Sequence, residues 1–88
     1  MSNINKDVVE IFTSNVVWLR KTNSLSKVKM CKILGIGYGS LNKIEKGILP
    51  PKLSVDVIFR IARYFGISAG NLVGEKLNEE SKLDKAGH

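Results

Sequence analysis

The chain has 88 residues, 43% of them hydrophobic and 25% charged, with a formal net charge of +6. That is one domain with a modest core and no long disordered tract. Cys31 is the lone cysteine and His88 the lone histidine, so an internal disulfide and a zinc cluster are both excluded, and no metal or cofactor is expected.

The first segment, from about Asn5 to Thr22, places Val8, Phe12, Val16 and Leu19 at helical spacing. Asn3 or Asn5 is the expected cap, and Asp7 and Glu10 suit the positive end of the helix. Trp18 lies off the main stripe, either at the core edge or at an interface. Ser26 is a good cap for a second helix, which carries Met30, Cys31, Ile33 and Leu34 inward, leaves Lys27, Lys29 and Lys32 outside, and stops at Gly35. Cys31 reads as a small core residue rather than a reactive thiol.

A third helix follows from about Tyr38 to Lys46, anchored by Leu41 and Ile44 and ended by Gly47. Its remaining residues, Tyr38, Gly39, Asn42, Lys43 and Lys46, make a surface too polar for burial. Pro50-Pro51 interrupts the chain. Ser54 is the expected cap of a fourth helix, with Ile58, Ile61, Ala62 and Phe65 as its apolar stripe and Gly66 as its stop. Phe59 and Tyr64 fit either the core edge or a dimer surface. Ser68 opens a short fifth helix through Leu72 to Gly74. Residues 75–88 are polar and read as a tail, helical or disordered. The expectation is an all-α bundle of five short helices with a domain over 1–74 and no sheet.

Charge is unevenly placed. Between Arg20 and Lys52 lie eight basic residues and one acidic residue, Glu45. The partner is therefore expected to be anionic. A basic membrane-surface helix is disfavoured, because the lysines cluster around a turn and not along one amphipathic face. No apolar stretch approaches the ~20 residues of a membrane span. The N-terminus lacks the basic-then-apolar pattern of a signal peptide, so a cytoplasmic protein is expected. Gly35-Ile36-Gly37-Tyr38-Gly39 falls short of a nucleotide-binding loop: Ser40 holds the last glycine position, and a helix precedes it where the motif needs a strand. No small-molecule ligand is evident, and with the one histidine at the terminus no catalytic set can be assembled, so an enzyme is not expected.

Two short helices joined by a tight Gly-containing turn, residues 26–46, match the plan of a DNA-binding helix-turn-helix. Such a unit pushes its second helix into a major groove about 12 Å wide while flanking lysines meet phosphates. The sequence from Val16 to Val73 also resembles the phage repressor and Cro-type (XRE-like) helix-turn-helix family. The resemblance rests on Leu19-Arg20, Leu25-Ser26, Leu34-Gly35-Ile36, the run Leu41 to Gly47, Ser54-Val55-Asp56, Ile61-Ala62, Phe65-Gly66-Ile67-Ser68 and Leu72.

That resemblance implies a lambda-repressor-like bundle that binds double-stranded DNA, usually as a homodimer through helix 5 and the tail. By position, Tyr38, Gly39, Asn42 and Lys43 would read bases, and Lys27, Ser40, Lys46 and Lys52 would contact phosphate. Lys would donate to guanine, and Asn would bond adenine in both directions. Arg20 could pair with Glu45 or bind phosphate. Lys27 stands where the family usually has Gln, Gly37 where a hydroxyl cap is usual, and the 48–53 loop is about two residues longer than typical. The expected function is a sequence-specific transcription regulator of the repressor kind; the alternative is an antitoxin-like or adaptor protein acting through protein contacts.

Overall fold

In the computed structural model, the described residues are 2–51 and 53–77. They form α1 (Ser2–Thr22), α2 (Lys27–Leu34), α3 (Tyr38–Glu45), α4 (Val55–Phe65) and α5 (Ala69–Gly74). No strand occurs among them. Helix α1 packs on α3 and α5, α2 on α3 and α4, and α4 on α5. The all-helical architecture read from the sequence is the one observed.

Local signals account for most of the boundaries. Ser26 Oγ accepts from the Lys29 N–H at 3.0 Å, and Ser68 Oγ accepts from Asn71 N–H at 3.0 Å, so each satisfies a donor the first helical turn leaves free. Gly35 and Gly66 end α2 and α4 at φ of +73° and +70°, a region costly for any residue with a Cβ. Two capping expectations change. Helix α1 begins at Ser2, so Asn3 and Asn5 lie within it and no acidic residue falls in its first turn; nothing in residues 2–4 breaks a helix, which therefore continues back past Asn5. Ser54 has the extended backbone of a cap, but its hydroxyl makes no capping bond.

The core gathers Phe12, Val16 and Leu19 of α1, Met30 and Leu34 of α2, Leu41 and Ile44 of α3, Val57 and Ile61 of α4, Leu72 of α5, and Leu77. Trp18 and Cys31 pack at its edge. Val8 is exposed, and so are Phe59 and Tyr64. For the latter two this replaces the core-edge reading, because the buried line of α4 runs through Val57 and Ile61 and carries those rings to the solvent side. The chain after α5 also contributes. Leu77 is buried, and the fully buried Asn15 holds it there. The Asn15 Nδ2 donates to the carbonyls of Leu72 and Glu75, both at 2.7 Å, and its Oδ1 accepts from the Leu77 N–H at 2.8 Å. The packed body therefore extends past Gly74.

Candidate nucleic-acid interface

The α2–turn–α3 unit is built from both ends inward. Leu41 and Ile44 are wholly buried and seat α3 on the core. At 100° per residue, that leaves Gly39, Lys43 and Lys46 on the open face of α3, all exposed. Tyr38 and Asn42 lie on the edge towards α2, and the half-buried Ser40 lies on the opposite flank. Tyr38 is 50% exposed. The sequence-predicted residues thus divide into an outward group and an edge group.

Lys27 organises the edge group. Its Nζ donates to Asn42 Oδ1 at 3.2 Å, stands 3.8 Å from Glu45 Oε1, and lies 5.9 Å from the centre of the Tyr38 ring. The ammonium is therefore drawn in by a carbonyl oxygen, a carboxylate and a π face. Glu45 in turn receives both Nε and Nη2 of Arg20, at 2.5 and 3.3 Å, while Arg20 Nη1 donates to the Leu25 carbonyl at 3.1 Å. One carboxylate at the end of α3 is thus tied to α1, to the entry of α2 and to Lys27. Of the two roles open to Arg20 in the sequence, the structure has the internal pair.

Charge and burial act on Cys31 as well. Burial pushes its thiol above the ordinary range, and the negative charge of Glu45 adds to the effect. Both effects favour the protonated thiol, which lies beside an open hollow of about 430 Å³ lined by Val28, Lys32, Ile36 and Tyr38. Among the described residues no group of three or more His, Cys, Asp or Glu is placed to hold a metal ion. No helix among them is long and apolar enough to cross a membrane. Lys52 lies outside the described residues.

A helix-turn-helix family model matches residues 17–72, spanning α2, the turn and α3 with the helices on either side. The chain belongs to the XRE-like helix-turn-helix family. This is a family of DNA-binding transcription regulators. The chain is also similar to the antitoxin PezA of Streptococcus pneumoniae serotype 4, at 34% identity over 61 residues. That match covers 69% of this chain and 37% of the antitoxin, so this chain spans well under half of that relative. No solved structure matches it significantly.

Within the helix-turn-helix, sequence reasoning located every element but missed one arrangement. It gave Lys27 to phosphate, by its position at the start of the second helix, and did not foresee a bond to α3. In the structure Lys27 is the donor and the Asn42 carbonyl oxygen the acceptor. The signal was available in the pairing of a cation at the start of α2 with an amide and a carboxylate three residues apart on α3. Only the turn geometry brings them within reach.

Proposed function

We propose that this regulator is a repressor that binds operator DNA as a homodimer in the cytoplasm, with α3 in the major groove. The observation that carries the reading is the surface of α3: exposed Lys43 and Lys46, in no ion pair among the described residues, stand beside Asn42, which accepts from Lys27, and Tyr38, whose ring centre lies 5.9 Å from the Lys27 ammonium. A base-reading helix needs side chains whose positions are set before binding, and this edge supplies them. Lys43 reads guanine O6/N7, Tyr38 stands at the groove edge, and Gly39 allows close backbone approach. Ser40, Lys46 and Lys52 meet phosphate. With one lone pair of Asn42 Oδ1 occupied by Lys27, Asn42 presents its NH₂ first, to an acceptor such as guanine O6 or thymine O4. This departs from the two-way adenine contact expected from residue type alone.

The DNA-binding unit is taken to run through Leu77, since that residue is part of the core. A single module of this kind covers only ~600–1,000 Å² of protein surface, which favours two copies on half-sites about 10 bp apart. The likeness to an antitoxin favours a second reading, in which the same fold serves an antitoxin-type role through contacts with another protein.

Selection from a random duplex pool, followed by binding of Lys43→Ala to every single-base variant of the selected site, tests the first reading. The expected loss is ~1–3 kcal/mol on the preferred site, with preference relaxed at one position. A uniform loss across all variants would reduce Lys43 to a phosphate contact, and salt-insensitive binding would favour the protein-contact role.

A further inference from the structure

Helix α2 has a second flank. Lys27 faces α3, but Lys29 lies 200° further round the helix at 100° per residue and faces α4. There it lines an open groove of about 510 Å³ with Lys32, Ile33, Arg60, Arg63 and Tyr64. The one acidic residue of this groove, Asp56, is taken by Arg60, Oδ2 to Nε at 3.0 Å. The Arg60 guanidinium also reaches across to the end of α2, where a Cβ on Gly35 would stand 2.9 Å from its Nη1. Lys29, Lys32 and Arg63 enter no ion pair among the described residues. Among these charges the groove has two apolar lining members, Ile33, packed on the core, and the Tyr64 ring, which stands edge-on to Phe65 at 4.9 Å.

We propose that this α2–α4 groove is a docking site for an acidic, amphipathic segment of a partner protein. Its carboxylates meet Lys29, Lys32 and Arg63, and one apolar side chain lies on Ile33 and Tyr64. Two features favour a peptide over a phosphate backbone. Free cations around a groove attract any polyanion, but the apolar surface of Ile33 and Tyr64 among them is covered favourably only by a ligand with an apolar face. The groove also lies on the side of α2 turned away from α3, so it stays open while α3 occupies DNA. That last point alone rests on the proposed DNA reading.

The test uses the full chain at 0.15 M salt, where charges farther apart than the ~8 Å Debye length are largely screened. The probe is a fluorescein-labelled peptide of four Glu-Glu-Leu repeats, with four Gln-Gln-Leu repeats as its neutral counterpart. Fluorescence anisotropy should show binding of the acidic probe only. Lys32→Glu combined with Arg63→Glu should weaken it by about 10-fold or more, since two favourable pairs become repulsive. Lys43→Glu combined with Lys46→Glu makes the same change in net charge on the face of α3 and should alter affinity by less than about 2-fold. All four substituted side chains are exposed, and circular dichroism verifies the fold of each variant. Equal loss in both double variants, no loss in the first, or equal binding of the neutral probe would overturn the proposal. Added saturating duplex should leave the acidic probe bound, and its displacement would mean that the groove is itself part of the DNA surface. Because the probe is first titrated against the free protein, failure to bind DNA at all would leave the groove result standing and would count against the DNA reading only.

Discussion

Replacing Asn15 should cost more stability than its single amide suggests. The side chain is fully buried and joins α1 to the chain leaving α5 through three hydrogen bonds of 2.7, 2.7 and 2.8 Å. In Asn15→Ala the Leu72 carbonyl and the Leu77 N–H lose a partner in the interior. The Glu75 carbonyl, on an exposed residue, can turn to water. A net bond is worth about 1 kcal/mol, and a buried group left unsatisfied costs about 1–3 kcal/mol. Two stranded groups and one exposed loss then sum to about 3–7 kcal/mol. Domains hold about 0.05–0.15 kcal/mol per residue, so this is a large share of the total. At the lower end, a domain of this size should lose about 12–24 °C in Tm.

Asn15→Asp sharpens the argument. A carboxylate still accepts from Leu77 N–H but points its other oxygen at two carbonyls in a desolvated site. The acid introduced should have a raised pKa, so this variant is most stable below a free carboxyl's value near 4 and loses stability as pH rises through the higher folded value. Urea unfolding followed by circular dichroism, with hydrogen exchange at the Leu77 amide, measures both. A loss under about 1 kcal/mol for Asn15→Ala, or an Asn15→Asp variant most stable at neutral pH, would refute the reasoning.

Glu45→Gln should destabilise the fold by about 2 kcal/mol, because Arg20 is only 16% exposed and would keep its charge without a counter-ion; this lies between the surface and buried limits and is read by thermal melting. The same change releases Lys27, so base preference near Asn42 should broaden in the selected-duplex assay. Lys27→Ala should alter preference at the Asn42 position as well as weaken binding to all duplexes; a loss identical for every sequence would show that the Lys27–Asn42 bond does not persist on DNA. The Cys31 thiol should react with iodoacetamide more slowly than a free thiol at pH 8. Its raised pKa should also make stability fall as pH climbs from a free thiol's value, near 9.0, towards that of Cys31, and Cys31→Ala should remove that slope.

The helices, their order and the family were all legible in the residues, because the information is local. Ser26 and Ser68 cap, Gly35 and Gly66 stop, and the stripe Phe12, Val16, Leu19 repeats at helical spacing. A helix start is decided by whether the next residues resist helix, and residues 2–4 do not, so α1 ran further back than its asparagines suggested. The Arg20–Glu45 pair was legible only as one of two options. What no local pattern contained was the meeting of residues far apart in the chain. Asn15 on an apolar stripe signals a buried polar group in want of a partner, but its partners lie some 60 residues on and are backbone atoms without sequence identity. Leu77 looked like a stray apolar residue in a polar tail for the same reason. The role of Lys27 likewise depends on how closely α2 and α3 approach across the turn. Periodicity assigns a face to a helix, but the neighbour that a face meets is set by the packing of the whole bundle.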